Sequence, residues 1–254
     1  MTGVDFQSAQ LSDTTVRYRQ AGHGEPLVLL HPSSGVRVTR AVRALEASFE
    51  VFQPTFPGFD DTPLPPNEIG VVDLARWMAE FIDTVVGAPA MVAGHSFGGW
   101  VACWLAVEHP ELVRHLVLQC PLGFGPLLAP APNATPAELL ARTYTHPEKC
   151  VKETKSEALL SRNRALAARV GRAVTEDAEL MQRMTAVKLP VLVVYGGNDG
   201  LVRRSGMEWI EGSVQSARLE TVDDAAHHVE SDQPERYVEL VAGFARAHVS
   251  GTHA

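Results

Sequence analysis

Apolar residues fall along this chain in two rhythms that take turns through most of its length. Leu27-Val28-Leu29-Leu30 and Val191-Leu192-Val193-Val194-Tyr195 are continuously apolar, which suits strands covered on both faces. Leu116-Val117-Leu118 and the run from Ala90 into Gly94 predict two more, residues 50–53 a short one, and 218–222 a weaker one. Between them, residues 71–86 place Leu74, Trp77, Met78, Phe81, Ile82 and Val85 at helical steps. Residues 36–48 carry helix spacing, and 97–109 are rich in alanine and apolar side chains up to Pro110, which ends a helix. Residues 14–20 alternate before the turn-like Ala21-Gly22-His23-Gly24-Glu25-Pro26, which predicts a hairpin into the strand 27–31. Strands alternating with helices predict an α/β fold: a mainly parallel, twisted sheet with helices on both faces.

One segment breaks the alternation. Residues 122–188 contain no convincing strand; they open Pro/Gly-rich and continue as charged helical sequence, including 157–170 and 175–184. That is too long for a loop in a compact domain. It predicts a helical cap inserted into a core made of residues 1–121 and 189–254. Phe124, Leu127, Leu128, Leu139, Leu140 and Tyr144 are its candidates for a pocket roof. Trp100 and Trp104, one helical turn apart, are expected to pack the core rather than to touch a substrate.

Composition narrows the partners. The 254 residues are 45% hydrophobic and 20% charged, ordinary for a globular protein with a sizeable core. Twenty-two basic residues against 30 acidic ones leave a net charge of −8, which argues against nucleic acid as a partner. The three cysteines, Cys103, Cys120 and Cys150, have no paired spacing; Cys103 and Cys120 lie in apolar runs and are expected to be buried small hydrophobes. Residues 1–10 lack the basic and apolar regions of a signal peptide, and no apolar run is long enough to span a membrane. A cytoplasmic protein with a small-molecule substrate and no membrane or nucleic-acid partner is the expectation; oligomeric state is open.

The chemistry concentrates at Gly94-His95-Ser96-Phe97-Gly98, where a strand, a sharp turn and a helix meet around a serine. A serine hydroxyl is a weak nucleophile, so it needs exposure on a tight turn, a base, and nearby N–H donors. Asp199, in the turn after the strand 191–195, supplies a carboxylate at the carboxyl end of a buried strand. Asp223 and Asp224 also follow a strand but lie close to the histidines. His227 and His228 are adjacent, so one of them faces Ser96. No His/Cys cluster has metal-ligand spacing and no glycine loop fits a phosphate, so no metal or cofactor is expected.

In the order serine, acid, histidine, the chain resembles the α/β-hydrolase superfamily, in its branch with a serine nucleophile and a helical cap. The resemblance covers nearly the whole chain. A histidine in an alanine- or glycine-rich turn with a proline seven residues later points, from Pro234, to His227; His228 then takes the place of an aromatic or bulky residue. His31-Pro32-Ser33-Ser34-Gly35 resembles the family's oxyanion loop, with Pro32 where a glycine is usual; proline has no N–H to donate. The implied donors are the backbone N–H groups of Ser33 and Phe97, with Ser34 as a substitute, while His31 braces the loop. Phe56-Pro57-Gly58-Phe59-Asp60 resembles the loop that positions the turn carrying the serine. The resemblance implies hydrolysis of an ester, thioester or lactone of a small, partly apolar substrate, with Ser96 as nucleophile, His227 as base and Asp199 orienting it. Two alternatives stand beside it. Carbon–carbon bond hydrolases of the meta-cleavage type share the serine and cap but usually carry tryptophan where this chain has His228; a catalytically silent, ligand-binding hydrolase fold is the other.

Overall fold

The computed structural model describes residues 5–65, 67–151, 154–172 and 176–249. Among them are eight strands: β1 (Gln7–Gln10), β2 (Thr15–Gly22), β3 (Glu25–Leu30), β4 (Phe49–Pro54), β5 (Ala90–His95), β6 (Val113–Gln119), β7 (Val191–Gly196) and β8 (Ala217–Val222). They form one sheet in the order β1-β2-β4-β3-β5-β6-β7-β8. Pairing is parallel from β4 through β8 and antiparallel only at the β1 and β2 edge. The helices are α1 (Arg40–Leu45), α2 (Val71–Phe81), α3 (Phe97–Glu108), α4 (Pro136–Ala141), α5 (Glu157–Val170), α6 (Ala178–Met184), α7 (Arg204–Ser213), α8 (Val229–Asp232) and α9 (Pro234–Val249). No helix of the described residues is long and apolar enough to cross a membrane.

Every residue of β7 is buried. Successive strand side chains point to opposite faces, so this strand is covered on both. On the helical side, α2 packs against α3 and α1 against α9. The continuous apolar runs therefore mark the sheet's interior, as their pattern predicts.

The predicted hairpin is corrected. β2 pairs with β1 and β4, not with β3, which lies beyond β4 and is held in parallel on both edges by β4 and β5. The reason is burial: Leu27, Val28 and Leu30 are buried, so this strand belongs in the sheet's middle, where an antiparallel hairpin partner would take the place of one parallel neighbour. The connecting turn passes over the start of β4, where a Cβ on Gly22 would stand 2.3 Å from the Phe49 carbonyl oxygen. The helix predicted over 36–48 is also shorter, because Thr39 Oγ1 accepts the Val42 N–H and starts α1 there. Residues 71–86 do continue as helix, with a wider π-type turn over Ile82–Val86 closed by Gly87 at φ 72°.

The segment 122–188 holds α4, α5 and α6 and no strand among its described residues, apart from single bridges of Gly123 and Phe124 to Glu176. α5 spans the predicted 157–170; α6 covers the second predicted helix from Ala178, while Thr175 lies outside the described residues. Of the candidate roof residues, Phe124 is buried against Trp209, whereas Leu127, Leu139 and Leu140 face solvent at 43–47% exposure.

Two glycines show how tightly the serine turn is built. A Cβ on Gly94 would lie 2.4 Å from the Gly98 carbonyl oxygen, and one on Gly98 would lie 2.2 Å from the Leu30 carbonyl oxygen. Both obstacles are backbone and cannot rotate away. Gly98→Ala is therefore expected to cost about 1–3 kcal/mol or more in urea denaturation. Gly212→Ala in α7, where a Cβ meets nothing within 4 Å, is the control and should be neutral or stabilising.

Candidate active site

The predicted site residues converge at the carboxyl ends of the parallel strands, where open α/β sheets keep their ligands. β5 delivers Ser96, β7 leads to Asp199, β8 to His227, and β3 to the loop from His31. Ser96 sits between β5 and α3 at φ 55°, ψ −114°, a conformation an L-residue adopts only under constraint. The close approach at Gly94 and Gly98 is that constraint.

His227 and Asp199 are joined directly. The imidazole Nδ1 donates to Asp199 Oδ2 at 2.8 Å, with the two side chains 4% and 0% exposed. Asp199 Oδ1 accepts the Leu201 and Val202 N–H groups at 2.7 and 3.1 Å, so the carboxylate is fixed before it meets the ring. Burial pushes the Asp199 carboxyl up, but the His227 hydrogen bond and charge and the Leu201 amide outweigh it, holding the group below the usual carboxylate range. With Nδ1 committed, Nε2 is the ring atom left to accept a proton. The serine turn adjoins this pair: the ring of His95, one residue before Ser96, lies 4.9 Å from the ring of His227. Ser96 Oγ makes no hydrogen bond to His227 among the described residues; such bonds commonly tighten only when substrate is bound.

The loop after β3 touches the serine turn from the other side, since the Gly98 Cα faces both the Leu30 and His31 carbonyls. Neither Ser33 N–H nor Phe97 N–H has a partner among the described residues. Pro32 turns its carbonyl back onto the loop, where it accepts from Gly35 N–H at 3.0 Å. Ser34 Oγ is buried without a partner among the described residues. His31 acts as a brace: its Nε2 accepts the Phe56 N–H at 3.0 Å, its Nδ1 donates to the Pro32 carbonyl at 2.8 Å, and its ring packs on Phe56 and Phe59. Burial pushes the His31 imidazole down to about 4 against the pull of Asp60. Phe56 and Phe59 in turn pack against Phe97, which ties the 56–60 loop to the serine turn as expected.

The segment 122–188 is fastened to these loops by polar contacts. Asn163 of α5 and Lys155 both bond the Asp60 carboxylate, at 2.8 and 2.9 Å, and both bond the Ser34 carbonyl. Trp100 and Trp104 are buried as predicted, yet both indole N–H groups also donate to Asp177 Oδ2, at 2.8 and 2.9 Å. The third attachment is a strap formed by residues 142–149. Arg142 bonds the Gly200 carbonyl beside Asp199, Thr143 accepts the His228 N–H, and the Thr145 and His146 N–H groups donate to Asp232 at 2.9 and 2.8 Å. Asp232, fully buried, also accepts Ala226 N–H at 2.8 Å, so one carboxylate binds the strap to the histidine loop.

Beside His227 lies a second polar cluster that sequence reading missed. His228 Nδ1 meets Glu230 Oε1 at 3.1 Å, and Gln119 Nε2 donates to Glu230 Oε2 at 2.5 Å and to the His227 carbonyl at 3.2 Å. Tyr144 stacks on His228 with ring centroids 4.4 Å apart, and its hydroxyl accepts from Arg37. The spacing of His228 and Glu230 was a signal; the arrival of Gln119, Tyr144, Arg37 and His95 from four other places was not. Cys103 and Cys120 are buried, and burial pushes both thiols up. Asp223 and Asp224 do not join His227 among the described residues; Asp224 pairs with His146 and Gln233.

Residues 27–240 match the alpha/beta hydrolase family, and the chain belongs to it. It is 26% identical to a pimeloyl-[acyl-carrier protein] methyl ester esterase of Aeromonas hydrophila, over 91% of this chain and 99% of that one. It is 25% identical to a 2-hydroxy-6-oxo-6-phenylhexa-2,4-dienoate hydrolase of Comamonas testosteroni, over 93% of each. Among solved structures, an N-acyl homoserine lactonase complexed with N-hexanoyl homoserine shares the fold, with a TM-score of 0.79, 18% identity, and coverage of 99% and 100%.

Two outcomes follow from this geometry. His31, His95 and His228 are all pushed below the ordinary histidine value, first by burial. On unfolding they regain a value near 6.5 and bind protons the folded chain refuses, so stability should fall as pH drops from about 6.5 towards 4. His31 alone accounts for up to roughly 3 kcal/mol at the lower end; urea midpoints taken down that range should decline, and His31→Gln should flatten the decline. Separately, Asp232→Asn should lower stability by about 1–3 kcal/mol, since it sets an amide N–H₂ against backbone donors. If the strap holds the histidine loop in place, the same substitution lowers kcat more than it raises KM.

Proposed function

We propose that this protein is a serine hydrolase that cleaves a carboxylic ester, thioester or lactone bond of a small, partly apolar substrate through an acyl-enzyme. One observation carries the reading: the buried, pre-oriented His227–Asp199 pair beside a serine held at φ 55° on a strand-to-helix turn. Ser96 Oγ attacks the carbonyl carbon while His227 Nε2 takes its proton; Asp199 holds the tautomer and stabilises the imidazolium. The Ser33 and Phe97 N–H groups, unpartnered among the described residues and carried by touching segments, receive the oxyanion. His227 then gives its proton to the leaving oxygen or sulfur, and a water activated by the same ring releases the acyl group. The esterase relatives by name support ester hydrolysis. The helical segment 122–188, inserted in a core of residues 1–121 and 189–254, acts as the cap that sets substrate choice, and its contacts to the loops of Ser34, Asp60, Gly200 and His228 support that role.

A second reading is carbon–carbon bond hydrolysis, favoured by the name of the Comamonas relative. A panel of p-nitrophenyl esters, thioesters, lactones and vinylogous diketones separates the two, with intact-mass detection of a trapped acyl-enzyme. Ser96→Ala should abolish turnover and labelling by a fluorophosphonate, and His227→Ala should abolish turnover. Asp199→Asn should lower kcat by up to about 10⁴-fold through loss of the tautomer. His228→Ala should instead alter substrate preference. Full activity in Ser96→Ala overturns the nucleophile assignment, and an inert wild type towards both probe and panel returns the protein to a ligand-binding role.

A further inference from the structure

The cluster of His95, His228 and Glu230 is not used by the mechanism above, and its chemistry is unusual for a site of that kind. Glu230 accepts from Gln119 Nε2 at 2.5 Å and from Ser231 Oγ at 3.1 Å, and its Oε1 lies 3.1 Å from His228 Nδ1. His95 Nε2 is sealed from solvent with no hydrogen-bond partner among the described residues. A sealed ring nitrogen without a partner, beside a second imidazole and a carboxylate, points to a ligand that the three side chains share.

The geometry fits one. Donor atoms of His95, His228 and Glu230 all lie within 4.8 Å of one another. The three residues line one small cavity of about 60 Å³, together with Gln119 and Tyr237. An ion seated between the donors needs side-chain shifts of under ~1 Å to reach Zn–N and Zn–O distances of about 2.0–2.2 Å. Arg37 lines the same cavity with its guanidinium bonded to the Tyr144 hydroxyl and the Val151 carbonyl. Gln119 Nε2 already bonds the Glu230 carboxylate, the kind of contact that orients a metal-binding carboxylate.

We propose that His95, His228 and Glu230 form a binding site for one divalent transition-metal ion of the zinc class. Two imidazoles and one carboxylate favour Zn²⁺ or Co²⁺ over Mg²⁺ or Ca²⁺, which prefer all-oxygen shells. The site stands independently of the reaction proposed for Ser96. Its one consequence for that reaction follows from position: the His95 ring is 4.9 Å from His227, so a bound cation disfavours the imidazolium that His227 becomes during acyl transfer.

The test is titration of the metal-free, full-length protein with Co²⁺, followed by calorimetry with Zn²⁺. Expected are one equivalent bound, visible d–d absorption of a low-coordinate Co²⁺ ion, and displacement of that absorption by Zn²⁺ but not by Mg²⁺. Glu230→Gln and His228→Asn should each weaken binding at least about tenfold, a conservative figure for losing a direct ligand. His146→Asn, which removes an exposed imidazole paired with Asp224, should leave binding intact. Cooperative thermal unfolding of each variant confirms that it is folded. Absence of a low-coordinate Co²⁺ spectrum in the wild type overturns the proposal, as does undiminished affinity in a folded Glu230→Gln or loss of binding in His146→Asn.

Discussion

The first turn of α3 lies against the end of β3 more closely than any side chain permits, and the rest of the site hangs on that contact. It forces glycine at 98, the backbone of Gly98 and Gly99 forces glycine at 94, and between the two Ser96 takes φ 55°. It also brings the Phe97 amide next to the segment that carries the Ser33 amide. Close backbone contact on both sides of the serine therefore accompanies its strained conformation. Strain of this kind persists only where surrounding structure over-determines it, and here the parallel pairing of β3 with β5 supplies that support.

Two histidine–carboxylate pairs stand side by side behind this turn, and their surroundings make them different. Asp199 is tied down by two backbone amides and holds the Nδ1 of His227. Glu230 receives its hydrogen bonds from side chains, those of Gln119, Ser231 and His228, within a small cavity. Backbone amides make a rigid anchor for an orienting acid. Side-chain donors around a cavity make a pocket whose members can rearrange around a ligand, and the two sites share an edge at His95.

The helical segment between β6 and β7 joins the core through apolar side chains such as Phe124, Val170, Leu180 and Met184, and through buried or half-buried polar groups. Asn163 and Lys155 hold the Asp60 loop, Asp177 gathers two indole N–H groups, and Asp232 collects the strap and the histidine loop. Hydrogen bonds of this sort are directional, so they specify where the segment sits as well as adding stability. The strap reaches both Gly200 and His228, and so holds the loops on either side of the Asp199–His227 bond.

The run of apolar residues in Leu27-Val28-Leu29-Leu30 and Val191–Gly196, the G-x-S-x-G turn and the helical stretch 157–170 were all legible from the sequence, because each depends on neighbours within one element. Local periodicity reports which faces are buried, and a tight turn announces its glycines. The strand partner of β2 was not legible: alternation shows that a segment is a strand but says nothing of which strand lies beside it, and the burial of Leu27, Val28 and Leu30 in the sheet's middle made that choice. Trp100 and Trp104 were read as core, which they are, while their shared partner Asp177 lies more than seventy residues away. Sequence alone determined the buried central strands, the serine turn and the candidates for its acid and histidine. Only the tertiary structure decided which carboxylate meets which imidazole and brought His95, Gln119, Tyr144 and Glu230 together, since polar contacts between distant segments leave no periodic mark on the chain.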